Sequence, residues 1–186
     1  MTFDNFQALF DEVLSGSMTT SPYHEEKYRN FVKLNKSRQN RWLKTIKVPD
    51  DLVRKLDSLQ AKHWVLITEP WCGDSAMISP LIKRLADQND QIKLEIQLRD
   101  GQSEIDKYLT NGGKAIPKLI MRDESGNDVF VWGPRPQKAM QFRKELVEQG
   151  LEKAEIDEAL QRWYNEDKGE SFFAELEAMM SADVKV

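Results

Sequence analysis

Four consecutive large apolar residues, Trp64-Val65-Leu66-Ile67, lead into the chain's one cysteine, in Trp71-Cys72-Gly73-Asp74-Ser75. An apolar run this short fits a strand buried on both faces. Beyond the cysteine, Leu81, Ile82 and Leu85 recur at helical spacing within residues 79–87. Ile92, Leu94, Ile96 and Leu98 then alternate with polar residues, the period of a strand. A third strand is expected over 117–121. Turn chemistry fills 123–128, and Val129-Phe130-Val131-Trp132 returns as a fourth strand. Strand, helix, strand, short helix (103–110) and hairpin follow in order, which implies an α/β layer around a mixed sheet.

The flanks read as helical. Phe3, Phe6, Leu9, Phe10, Val13 and Leu14 mark an amphipathic helix, and residues 15–22 a loop. Residues 25–46 read as a charged helix with an interruption near 35–40. Pro49 ends it, and Asp50 or Asp51 is placed to cap a helix through Leu52, Leu56 and Leu59. Three helices are expected after Pro136, over 137–149, 153–164 and 170–180. The division that follows is a helical N-terminal extension (1–63) packed on the core, a core (64–135), and C-terminal helices (136–186) completing the same domain. The N-terminal apolar stripes need a partner surface, because a short helix cannot hide one unaided.

Composition removes several functions. The net charge of −4, without a basic block, argues against nucleic acid as a partner. No apolar run reaches the roughly 20 residues of a membrane span. The first residues have neither a basic start nor an apolar core, so a cytoplasmic protein is expected. With one cysteine there is no internal disulfide and no multi-cysteine zinc site. His24 and His63 lie far apart, and no metal or cofactor is expected.

Cys72 is the candidate nucleophile. It follows a strand and precedes a helix, so backbone N–H groups and the helix dipole would favour its thiolate. A lone cysteine can also be only a small buried hydrophobe. On the active reading, Cys72 should be at least partly exposed and its pKa lowered. Ser75 either caps the helix or donates to the thiolate. Lys118 reads as a solvated charge. Glu69 and Asp74 have nothing in the sequence to orient them as a pair. Trp163, Tyr164, Phe172 and Phe173 read as contacts between helices.

Trp71-Cys72-Gly73-Asp74-Ser75-Ala76-Met77-Ile78-Ser79-Pro80 resembles the active-site segment of thioredoxin, Trp-Cys-Gly-Pro-Cys followed by a helix with an early proline. Ala115-Ile116-Pro117-Lys118-Leu119 resembles the family's cis-proline loop, and Gly133 the glycine bordering its substrate groove. The resemblance spans 64–133 and implies a thioredoxin-like fold: a central mixed sheet with flanking helices, here with helical N- and C-terminal extensions. It implies catalytic roles for Cys72 and Ser75. Trp71, Gly73, Asp74, Ile116, Pro117 and Gly133 would bind substrate, with Ile116–Pro117 cis.

The departures limit the chemistry. Ser75 replaces the resolving cysteine, so a mixed disulfide cannot be released from within the chain. Asp74 replaces the usual proline. Leu66 stands where thioredoxin has a buried aspartate. The leading expectation is monothiol redox exchange through Cys72 with a protein disulfide or a low-molecular-weight thiol, resolved by an external thiol. The alternative is a non-catalytic thioredoxin-fold binding or adaptor protein. A third reading rests on the Cys-Gly-Phe-Ser motif of monothiol glutaredoxins, which share an iron–sulfur cluster with glutathione; the flanking sequence and Asp74 fit it less well.

Overall fold

The computed structural model describes residues 1–182. Its elements run α1 (Phe3–Ser15), α2 (Glu26–Thr45), α3 (Asp50–Ser58), β1 (His63–Thr68), α4 (Gly73–Ala86) and β2 (Lys93–Leu98). There follow β3 (Lys118–Arg122), β4 (Asp128–Trp132), α5 (Gln137–Glu148), α6 (Lys153–Asp167) and α7 (Glu170–Ala182). The sheet order is β2-β1-β3-β4. β1 is parallel to β2 and antiparallel to β3, and β4 returns antiparallel to β3. The mixed sheet between helices is the thioredoxin-like arrangement, with helices added at both ends.

Successive β1 residues point to opposite faces, which divides the core. Trp64 and Leu66 join Ile96, Leu119, Met121 and Trp132 in the large cluster that also holds the apolar faces of α1, α3, α4 and α7. Val65 and Ile67 join Ile105, Ile116, Ile120 and Cys72 on the opposite face. Within the large cluster Phe6, Phe10, Leu52 and Leu56 are completely buried. Each such side chain contributes about 1.5–3 kcal/mol of transfer free energy. Thr2 caps α1 by accepting from the Asn5 N–H at 3.2 Å, and the Met1 amino group donates to the Ile96 carbonyl at 2.8 Å. α5 and α6 form a smaller core of Ala139, Leu146, Ile156 and Leu160.

Three local expectations are corrected. α2 is unbroken through 35–40. Asn35 and Gln39 face inward there: the Asn35 amide donates to the Pro70 carbonyl at 2.9 Å, and the Gln7 amide donates to Gln39. Pro49 holds the cap position of α3 without a side-chain bond, and Asp50 and Asp51 lie in its first turn, where they favour the helix through its dipole. The stretch 103–110 forms only a single 3-10 turn, Ile105–Lys107, with Ile105 its one buried residue. α4 begins at Gly73, well before the apolar periodicity becomes visible. Among the described residues no helix is long and apolar enough to cross a membrane.

Candidate functional site around Cys72

The chain leaves β1 at Thr68 and turns through Glu69-Pro70-Trp71, closed by the Cys72 N–H donating to the Glu69 carbonyl at 3.1 Å. Cys72 is the N-cap residue of α4, with extended backbone. Ile116–Pro117 is cis, the isomer the family resemblance implies. The Cys72 thiol donates to the Ile116 carbonyl, with sulfur and oxygen 3.6 Å apart. Beneath lies the apolar surface of Val65, Ile67, Ile105 and Ile120.

That surface overturns the expected state of the thiol. Cys72 is only 7% exposed. Burial, reinforced by the Asp74 charge, pushes its pKa up to about 11. The Ser75 hydroxyl, the Ser75 backbone N–H and Arg135 act in the opposite direction and are outweighed. Helix-terminal donors are present as anticipated, but removal of water from the thiolate decides the sign.

Ser75 is completely buried, and its hydroxyl has no hydrogen-bond partner among the described residues. It lies inside the first turn of α4 rather than at the cap, so the capping role does not apply. Trp71 is half-buried. Tyr28 meets its ring edge-on at 5.9 Å, and the Arg99 guanidinium lies 4.5 Å from its centroid. Gly73 faces α6, where a Cβ would stand 3.4 Å from the Gln161 amide nitrogen. Gly133 has φ +116°, and a Cβ there would come within 2.2 Å of the Pro117 carbonyl oxygen. The groove wall therefore closes backbone to backbone. Lys118 is corrected from a solvated charge: it is 6% exposed, and its ammonium donates to the Gly133 carbonyl at 2.9 Å. Burial lowers its pKa.

The two carboxylates are each held by separate partners. Asp74 accepts a fork from Arg135, its Nε at 2.9 Å, and a further bond from the Tyr164 hydroxyl at 2.9 Å. These ties join the start of α4 to the segment after β4 and to α6. Glu69, 3% exposed, accepts from the Tyr23 hydroxyl at 2.9 Å and from the Asp100 N–H at 3.0 Å. Burial raises its pKa despite those donors. Leu66 is completely buried, and it supplies no proton-handling group on β1. Among the described residues no cluster of three or more His, Cys, Asp or Glu side chains could hold a metal ion.

The structure thus brings Trp71, Cys72, Gly73, Asp74, Ser75, Ile116, Pro117 and Gly133 into one region. Arg135, Tyr164, Tyr23 and Arg99 were not anticipated.

A family model described as thioredoxin matches residues 21–150. Among solved structures, a Pseudomonas aeruginosa protein of unknown function is similar with a TM-score of 0.60 at 16% identity, over 83% of this chain and 91% of that one. An HIV epitope-scaffold is similar with a TM-score of 0.53 at 17% identity, over 98% and 99% of the two chains. At these identities the likeness is one of fold. No curated protein matches the sequence.

Proposed function

The chain belongs to the thioredoxin family, and from that premise we propose that it is a monothiol redox protein whose Cys72 forms mixed disulfides that an external thiol resolves. The observation that carries this reading is the 3.6 Å approach of the Cys72 sulfur to the carbonyl of Ile116. The thiol and the backbone beside Pro117, which would align an extended substrate by strand-like hydrogen bonds, share one place.

The exchange balances without a cofactor. Cys72 loses its proton, and the thiolate attacks one sulfur of a protein or low-molecular-weight disulfide. A new S–S bond forms and the partner's other sulfur departs as thiolate. A second thiol then attacks the partner's sulfur in the mixed disulfide, and Cys72 leaves as thiolate and is reprotonated. The chain has no second cysteine to perform that step. Trp71, Gly73, Ile116 and Gly133 would wall the groove, and the Ser75 hydroxyl would donate to the transient thiolate.

A thiol at about 11 is ionised in roughly one molecule in 10⁴ at pH 7. Exchange is correspondingly slow, although a basic thiolate is the stronger nucleophile and recovers part of the rate. The same basicity makes Cys72 a poor leaving group, so its mixed disulfides would persist. Incubation of the native chain with glutathione disulfide, followed by intact mass measurement, tests this. A single adduct absent from Cys72→Ser and removed by excess thiol is expected.

The 7% exposure of Cys72 also favours a second reading, a thioredoxin-fold binding module without turnover. Adduct formation only after unfolding would select it.

A further inference from the structure

A cavity of about 670 Å³ lies between the C-terminal end of α2, the α2–α3 connection and the α6–α7 junction, and shares none of its lining residues with the groove at Cys72. Trp42, Ile46, Pro49, Phe173 and Ala174 give it an apolar lining. Its volume falls in the range of small-molecule sites, about 300–1,000 Å³.

The polar groups around it are unevenly charged. Arg41, Lys47 and Lys168 line the cavity against Glu170 and Glu177. Glu177 is already engaged, accepting from the Lys55 ammonium at 2.8 Å. The Arg41 guanidinium donates to the neutral Asn165 amide and stands 5.4 Å from the Trp42 ring centroid, so its charge is not cancelled. Among the described residues neither Lys47 nor Lys168 has an ion-pair partner. Three cations therefore face one unengaged carboxylate. Trp42 itself is only 7% exposed, and its indole N–H has no acceptor among the described residues. An apolar lining and an excess of cations call for a complementary ligand with an apolar body and an anionic head.

We propose that this cavity is a binding site for a small amphipathic anion, of the chemical class of a medium-chain carboxylate, with its chain against Trp42 and Phe173 and its head among Arg41, Lys47 and Lys168. The site stands independently of the redox reading, because no residue of the cavity takes part in the chemistry at Cys72.

Isothermal titration calorimetry of the whole chain with decanoate, below its micellar range, tests the assignment. Saturable binding at one site is expected. Decyltrimethylammonium, which keeps the chain and reverses the head charge, should bind at least about tenfold more weakly. Ala174→Trp places an indole in the cavity from an exposed helix position and should abolish binding without lowering the melting temperature. If that variant folds poorly, the double variant Lys47→Glu, Lys168→Glu, altered at two exposed positions, should weaken decanoate binding by at least about tenfold. Cys72→Ser should bind decanoate as the wild type does. Absence of saturable decanoate binding, equal affinity for the two head charges, or full affinity in a folded Ala174→Trp or Lys47→Glu, Lys168→Glu variant would overturn the proposal.

Discussion

Replacing Asp74 by asparagine should lower the pKa of Cys72, and the structure sets the size of the effect. The Asp74 carboxylate is the second cause, after burial, of the raised thiol pKa. It is 12% exposed and Arg135 is 23% exposed, so solvent screens neither strongly. A nearby charge moves a pKa by about 1–3 units. Arg135 already cancels part of the Asp74 field, which places the carboxylate's net contribution at the lower end, about one unit. The substituted amide would keep an acceptor for the Tyr164 hydroxyl and remove only the charge. The guanidinium, released from its counter-ion, would then favour the thiolate more strongly. Both changes act in one direction, so the expected fall is about one to two units, a tenfold to hundredfold gain in thiolate at neutral pH. Breaking the charge pair should cost about 1–3 kcal/mol of stability. The assay is the rate of alkylation by iodoacetamide against pH, and the single cysteine makes it unambiguous. An unchanged or higher pKa in a variant shown to be folded would refute the assignment of Asp74 as a charge acting on the sulfur.

Other perturbations have equally definite outcomes. Because the folded thiol titrates near 11 rather than near 9, its contribution to stability is complete below pH 9 and is lost as pH rises from 9 to 11. The wild type should lose up to about 3 kcal/mol across that window relative to Cys72→Ser, measured by urea unfolding. Arg122 donates to Glu104 at 3.0 and 2.9 Å and to Asp128 at 2.7 Å, and its hydrogen bonds hold Glu104 down to about 2. That contribution is present above pH 4.5 and lost as pH falls towards 2, so the stability gap between wild type and Arg122→Gln should narrow on acidification. Gly133→Ala would drive a Cβ to 2.2 Å from the Pro117 carbonyl oxygen in a backbone conformation costly for any side chain. It should lower the melting temperature by several degrees and change the alkylation rate of Cys72, whereas Gly126→Ala, with open space around it, should leave that rate unaltered.

The order of strands and helices in the centre of the chain was legible because its physics is local. A run such as Trp64 to Ile67 has one good solution, and the alternation at Ile92 to Leu98 another. α2 was misread at Asn35 and Gln39 because polar residues ordinarily mark a surface or a break. Here they are buried by hydrogen bonds to Pro70 and Gln7, partners remote in sequence. The same reason hid the ties of Asp74, whose donors Arg135 and Tyr164 lie 61 and 90 residues away.

The state of Cys72 shows most clearly where local reasoning stops. A helix N-terminus stabilises an anion by about 0.3–1 kcal/mol, and about 2 kcal/mol in the best geometry, equivalent at most to about 1.5 pKa units. Full burial can raise a thiol by up to about 3–5 units. The larger effect is not encoded in Trp71-Cys72-Gly73-Asp74-Ser75 at all. It arises from Val65, Ile67, Ile105 and Ile116 packed with Cys72 in one apolar cluster, residues drawn from β1, the 3-10 turn and the segment before β3. Neighbouring residues could therefore identify Cys72 as the candidate nucleophile, but only the tertiary packing could determine that its pKa moves up rather than down.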